Sequence, residues 1–231
     1  MQNQKLKLGY WNSRGRAHPL RQFLHITGQD FEDITYASLD EWHAARDSIF
    51  GKENAPFGNI PYIIDGDYVV NESAALPIYI AGRAGKPDLL GKNYQDKARH
   101  RQIEGVVADL SGAFIKLLYN ENRVEVIKGL VKEGSPTQKL ARQLSEFLGK
   151  KEFLLGYLTY ADLYVAHFVQ FIRVFSLSLG VADPFATLGG GNLLAHAKRV
   201  NALAELATFK YNFHPYAPPA LAPWLKEFPL P

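Results

Sequence analysis

Apolar and polar positions change period several times over the first third of the chain. Leu6-Lys7-Leu8 alternates as a strand does, Ala17 to Thr27 repeats at helical spacing with Pro19 in the first turn, and Phe31 to Tyr36 alternates again. This predicts a βαβ opening. Asp40 to Phe50 fits a further helix, and after a loop containing Gly and Pro come NIPYIID and DYVV, two short strands joined at Asp65-Gly66, a hairpin signal. A helix from about Glu72 to Ala84 completes an α/β layer of about 80 residues.

The stretch GRAGKPDLLGKN punctuates the chain and marks a linker. Beyond it strand alternation stops. Ile103, Val106, Val107, Leu110, Phe114, Leu117 and Leu118 recur at i, i+3, i+4 and i+7, which predicts a helix of more than about 20 residues. A later helix start is written into Leu158-Thr159-Tyr160-Ala161-Asp162-Leu163. Thr159 is placed to cap, Asp162 to reach back as the third-residue carboxylate, and Leu158 and Leu163 occupy the two staple positions. Such a box contributes on the order of 1 kcal/mol. The expected organisation is an α/β domain over residues 1–84, a linker over 85–93 and an all-helical domain over 94–231 that ends in a Pro-rich tail. Fold class is therefore α+β followed by all-α, in two domains.

Composition narrows the chemistry. At 231 residues with 47% hydrophobic and 21% charged positions, the chain is an ordinary globular one. Its net charge of +3 comes from scattered residues, which argues against nucleic acid as a partner. The apolar stretch YVAHFVQFIRVFSLSLGVA is interrupted by His167, Gln170 and Arg173, and no leader pattern opens the chain, so a cytoplasmic location without a membrane partner is expected. Cysteine is absent. That removes disulfides, thiolate metal sites and thiol nucleophiles, so any sulfur chemistry must use a sulfur brought by a ligand. His18 and His25 share a helix face without a carboxylate at ligand spacing, and no metal is expected. GGG at 189 to 191 lacks the residues of a phosphate loop and reads as the lead-in to a helix starting near Asn192. The tail HPYAPPALAPWLKEFPLP reads as a docked extended segment, with a polyproline ligand as the alternative.

Three stretches carry candidate chemistry. Tyr10 ends the first strand and is followed by Asn12-Ser13-Arg14-Gly15-Arg16, a turn into a helix whose free N–H groups and dipole favour an anion; Tyr10 is equally readable as a core aromatic. Asn59-Ile60-Pro61 precedes a strand: a cis bond there presents the open backbone of Ile60 to an extended peptide, and a plain loop is the alternative. Asn71-Glu72-Ser73 begins a helix. Ser73 can hold a ligand carboxylate and Glu72 a ligand ammonium, or the group simply caps.

Taken in order and at their separations, LGYWNSRGRAHPLR, Trp42, PFGNIPYIIDG, NES and GYLTYADL resemble a cytosolic glutathione S-transferase over nearly the whole chain. The resemblance implies a thioredoxin-like βαβ-α-ββα domain, a helical C-terminal domain, a homodimer, and a detoxifying transferase with glutathione as co-substrate and no cofactor. Tyr10-Trp11, Phe57 and Tyr119 are similar to the mu class; Gly15-Arg16 and the short stretch between Tyr36 and Trp42 are similar to the sigma class. Carried over by position, Tyr10 stabilises the glutathione thiolate, assisted by Arg16. Trp11, Trp42, Asn59, Ile60, Glu72 and Ser73 bind glutathione, and Arg46 or Lys52 meets its glycyl carboxylate. Asp109 reaches the other subunit's site, Tyr119 lines the second-substrate pocket, and Phe57 is the aromatic key between subunits. An α-helix turns about 80° net over the ten residues from Asp109 to Tyr119, so helix geometry lets the two face different sites. Two departures stand out: Glu72 replaces the usual Gln, and Pro77 falls inside the expected helix, where it removes one hydrogen bond. Conjugation to hydrophobic electrophiles is the expected activity. A glutathione-dependent isomerase of prostaglandin type and a non-enzymatic ligand-binding or structural relative are the alternatives.

Overall fold

In the computed structural model, which describes residues 4–53, 55–187, 190–209, 215–218 and 222–225, the chain divides into two compact units. One comprises Met1–Pro87 with Glu205–Ala220; the other comprises Asp88–Ala204 with Leu221–Pro231. The C-terminal segment thus splits, and part of it joins the N-terminal unit.

The first unit is built on a four-stranded sheet of order β2-β1-β3-β4, from β1 (Leu6–Trp11), β2 (Phe31–Tyr36), β3 (Tyr62–Asp65) and β4 (Tyr68–Asn71). β1 and β2 are parallel, as a helical crossover demands, whereas β3 runs antiparallel to both β1 and β4. The crossover is α1 (His18–Ile26), preceded by a 3-10 turn at Gly15–Ala17. Pro19 sits in its first turn, where no donor is lost. α2 (Leu39–Ile49) starts at Ser38, whose hydroxyl accepts the Glu41 N–H at 3.2 Å. Gly66, at φ 63°, makes the turn between β3 and β4.

Alternation divides the sheet between two cores. On one face Trp42 and Phe50 pack with Tyr36, Ala55 and Tyr62, flanked by Trp11, Ile34 and Ile60. Gly9 makes room for this packing: a Cβ there would lie 2.1 Å from the Tyr62 ring. On the other face Leu6, Leu8, Tyr10 and Ile63 are buried on the side of α1 and α3 (Leu76–Arg83).

Pro77 does not interrupt that last helix. A turn at Ser73–Ala75 precedes it and α3 begins at Leu76, which puts Pro77 in the first turn with no intrahelical bond to lose. The expected start near Glu72 was early because the turn is closed by the Glu72 carbonyl, which accepts from Ala75 at 2.8 Å and Leu76 at 3.2 Å.

The second unit is helical. It contains α4 (Tyr94–Ile115), α5 (Arg123–Val131), α6 (Pro136–Leu148), α7 (Tyr160–Ser178), the short α8 (Pro184–Thr187) and α9 (Gly191–Asn201). The apolar stripe of α4 is buried at Ile103, Val107, Leu110 and Phe114, and two polar residues, His100 and Glu104, extend it into the core. α7 opens with the expected capping box: Asp162 Oδ2 accepts the Thr159 N–H at 2.8 Å and its hydroxyl at 2.9 Å. Asp162 Oδ1 accepts the Leu154 N–H at 2.8 Å and lies 2.9 Å from His196 Nε2, so this fully buried carboxylate ties three segments together. Of the GGG stretch, Gly189 lies outside the described residues, as does most of the Pro-rich tail. Among the described residues no helix is long and apolar enough to cross a membrane.

Candidate active site

Tyr10 is positioned by the last residues of β1 and by the turn that follows. Its side chain is 8% exposed, and its hydroxyl oxygen accepts the Arg16 backbone N–H at 3.1 Å. Gly15 is pressed against the ring: at φ +37° it approaches so closely that a Cβ would lie 2.6 Å from Cε1 and 2.7 Å from the hydroxyl oxygen. Only glycine fits, for the conformation and for the space. A phenol oxygen can accept one hydrogen bond and donate another.

The turn itself is not the anion nest its residues predict. Asn12 N–H donates to the Tyr36 carbonyl at 2.9 Å, Ser13 N–H to Trp11 at 2.6 Å, Arg14 N–H to Pro215 at 2.6 Å and Gly15 N–H to Tyr216 at 3.2 Å. With Arg16 N–H on Tyr10, five successive donors are in use. The C-terminal segment fills the role a ligand anion would have taken. From the helix side, fully buried Arg21 holds the same turn, donating from Nη1 to the Ser13 carbonyl at 2.7 Å and from Nε to Asp33 at 3.0 and 3.1 Å.

A second group of candidates is joined by contacts around the end of β4. Ile60-Pro61 is cis. The Ile60 N–H is not open, as the cis geometry led us to expect, but donates to its neighbour's Asn59 Oδ1 at 2.9 Å, and Asn59 Nδ2 donates to Glu72 Oε1 at 3.2 Å. Glu72 is exposed and holds φ 71°, the one non-glycine residue in the left-handed region among those described. Non-glycine residues held in such sparsely populated conformations cluster at active sites and ligand clamps. Ser73 follows it in the turn before α3, partly exposed.

Trp11 and Ile60 flank the core that contains Trp42, so the aromatic candidates border the Asn59-Ile60 loop from beneath. Trp42 itself is only 7% exposed and stacks with Tyr62 at a centroid distance of 6.2 Å; its first role is packing. The two candidate cations separate clearly. The Arg46 stem lies beside Gly58, where a Cβ would meet its Cγ and Cδ at 3.2 Å, and its guanidinium pairs with Asp47 at 2.9 Å. Lys52 is exposed and donates to the Ser48 carbonyl at 3.0 Å.

Phe57 is 68% exposed, so it is not an anchor within its own chain. Its carbonyl accepts from Asn71 Nδ2 at 2.6 Å, which fixes the loop that presents it. In the second unit, Asp109 is exposed on α4 and Tyr119 is 71% exposed. The helical arithmetic linking them fails, because α4 ends at Ile115 and a 3-10 turn carries Lys116–Tyr119. Six α-helical steps and four 3-10 steps sum to about three whole turns, which places both side chains on roughly the same side.

Several positions were not singled out from sequence. Arg21 carries a legible signal, a cation among Leu20, Phe23 and Leu24 with Asp33 in the next strand. Asn71 reads only as part of the Asn71-Glu72-Ser73 stretch, with no sign of its bond to the Phe57 carbonyl. The return of Pro215 and Tyr216 to the Tyr10 turn depends on tertiary structure and leaves no local trace.

A βαβ unit continued by an antiparallel hairpin and a helix, with a cis-proline loop beside the sheet, defines a thioredoxin-like domain, here joined to an all-helical unit. Residues 6–82 match the family model described as glutathione S-transferase, N-terminal domain. The chain is 31% identical over 183 residues to glutathione S-transferase Mu 2 of Macaca fuscata fuscata, covering 78% of this chain and 81% of that one, and 30% identical over 213 residues to glutathione S-transferase Mu 5 of Mus musculus, covering 90% and 89%. Against the class-mu 26 kDa isozyme 7 of Fasciola hepatica identity is 35% over 150 residues, and the match spans 65% of either chain. Among solved structures, the glutathione S-transferase Blo t 8 superposes with a TM-score of 0.71 at 27% identity, covering 87% of this chain and 89% of that one. The structure titled NaGST-2 shares the fold with a TM-score of 0.72 at 24% identity, covering 89% and 95%. The chain belongs to the glutathione S-transferase family, and the three curated relatives described above are of the mu class.

Proposed function

We propose that this chain is a glutathione transferase that joins glutathione to hydrophobic electrophiles, with the Tyr10 hydroxyl donating to the glutathione sulfur. The observation that carries the reading is the Arg16 N–H at 3.1 Å from the Tyr10 oxygen, with Gly15 against the ring, which together hold the phenol in place at the end of β1. Membership of the family supplies the class of reaction. The absence of cysteine from the chain is consistent with a sulfur supplied by the co-substrate.

The physical task is ionisation. A thiol of pKa about 8.5 is only about 3% thiolate at pH 7. Lowering that pKa by about two units makes most of it thiolate and requires roughly 2.7 kcal/mol of preferential stabilisation. A hydrogen bond from Tyr10 to the charged sulfur, with the Arg16 charge nearby, is of the right order. Nucleophilicity falls with pKa, which offsets part of the gain.

In this reading Asn59 and Ile60 hold the cysteinyl backbone, exchanging the Ile60 N–H from the Asn59 side chain to the peptide. Glu72 receives the ligand ammonium and Ser73 the adjacent carboxylate, with Trp11 and the edge of Trp42 behind them. Arg46, beside the loop, takes the glycyl carboxylate in preference to Lys52. Tyr119 meets the electrophile. Exposed Phe57 is the contact for a second copy, and Asp109 acts across that dimer.

Calorimetric titration with glutathione, followed by conjugation assays with an aryl halide, tests the reading. Saturable binding together with glutathione-dependent turnover is expected. Binding without turnover on a panel of aryl halides, epoxides and enones would overturn it in favour of a non-enzymatic relative.

A further inference from the structure

Resting on the transferase reading, we propose that Tyr216, far from Tyr10 in sequence, is a positioning residue for the Tyr10 hydroxyl. Three successive backbone N–H groups make the link. Arg14 N–H is taken by the Pro215 carbonyl at 2.6 Å, Gly15 N–H by the Tyr216 carbonyl at 3.2 Å, and Arg16 N–H is thereby left aimed at the Tyr10 oxygen at 3.1 Å. Rotation of any peptide in this run turns the next N–H away, and Gly15, at φ +37°, is the residue with most freedom to rotate.

The side chain of Tyr216 keeps its carbonyl in place. Tyr216 is 4% exposed and the Arg14 guanidinium lies 4.2 Å from its ring centroid, so the side-chain contact of Arg14 with Tyr216 adds to the backbone bonds that Arg14 and Gly15 make with Pro215 and Tyr216. The same segment is anchored upstream on α1. Phe209 meets the His18 and His25 rings edge-on at 5.5 and 5.8 Å, and Thr208 Oγ1 lies 3.2 Å from His25 Nε2. Meanwhile β1 and α1 bury Leu6, Leu8, Leu20, Phe23 and Leu24 within their own layer. What the C-terminal segment adds is the direction of the turn's donors, which bears on catalysis more than on folding.

The test compares the wild type with Tyr216→Ala and Tyr216→Phe by pH-dependent steady-state kinetics, with circular dichroism as the check on folding. Tyr216→Ala is expected to lower kcat about fivefold, the worth of roughly one misaligned hydrogen bond, and to shift the ionisation of bound glutathione to higher pH. KM for glutathione should stay within about twofold, and Tyr216→Phe, which keeps the ring over Arg14, should restore the wild-type profile. A Tyr216→Ala enzyme with unchanged kcat and pH profile would overturn the proposal. Amide hydrogen exchange on the wild type provides an independent reading: slow exchange at Arg14 and Gly15 is expected, and fast exchange at both contradicts the link to Pro215 and Tyr216 even if the Ala variant does not fold. If the wild type shows no turnover, the transferase reading fails, and positioning is then decided by whether Tyr216→Ala speeds exchange at Arg16.

Discussion

Acidification should weaken the helical unit through one residue, His100. Its imidazole is 4% exposed on α4, tilted against the Tyr160 ring at 6.2 Å, with Glu104 Oε2 3.6 Å from Nδ1. Burial, reinforced by the Arg101 charge and only partly opposed by Asp162, lowers its pKa from an ordinary 6.5 to about 4. Between those values the unfolded chain binds the proton and the folded chain does not, so stability falls as pH drops from about 6.5 towards 4 and is fully present above that window. Integrating the linkage, His100 alone removes about 2 kcal/mol between pH 7.5 and 5. Glu104, raised by burial against the opposing Arg101, acts in the contrary sense, gaining stability on acidification. The His100 contribution is therefore read as a difference. Urea unfolding of the wild type and of His100→Leu at the two pH values should show the wild type losing about 2 kcal/mol more than the variant. Parallel losses in the two proteins would refute the assignment of a buried neutral imidazole.

Three further outcomes follow from contacts already described. Gly15→Ala places a methyl 2.6 Å from the Tyr10 ring at a positive φ; thermal unfolding should show a loss of about 1 kcal/mol or more, and turnover should fall about tenfold or further as the hydroxyl is displaced. Asp162→Ala strips the capping box and leaves His196 without its partner in the core; chemical denaturation should register a loss of about 3 kcal/mol or more. On the proposed dimer, in which Phe57 contacts a second copy, Phe57→Ser should shift sedimentation towards the monomer while leaving the circular dichroism spectrum unchanged, because a side chain 68% exposed contributes little to its own fold.

What could be read from the sequence was whatever local periodicity determines. β2 falls at the anticipated residues, α1 and α4 lie where apolar spacing placed them, and the box at Thr159 and Asp162 closes as written. The errors arise where distant parts of the chain decide. Pro77 looked like a helix breaker because the preceding turn, closed by the Glu72 carbonyl, has no period of its own. The Arg14 and Gly15 N–H groups looked available because their acceptors, Pro215 and Tyr216, are about two hundred residues away. The burial of His100 and Glu104 leaves no mark in the apolar spacing of α4, since burial of a polar pair is a property of what packs against the helix. The residues proposed to bind glutathione come from an ordered set of weak motifs. The contacts that organise them, Asn71 to Phe57 and Arg21 to Ser13, became visible only in three dimensions.

The central claim is that the Tyr10 hydroxyl lowers the pKa of a bound thiol. Its most direct measurement is an ultraviolet titration of the glutathione thiolate on the wild-type protein and on Tyr10→Phe, each saturated with glutathione. The account predicts ionisation about two units below the free thiol's value of about 8.5 on the wild type, and a return to near that value when the hydroxyl is removed. Identical titration curves for the two proteins would contradict it.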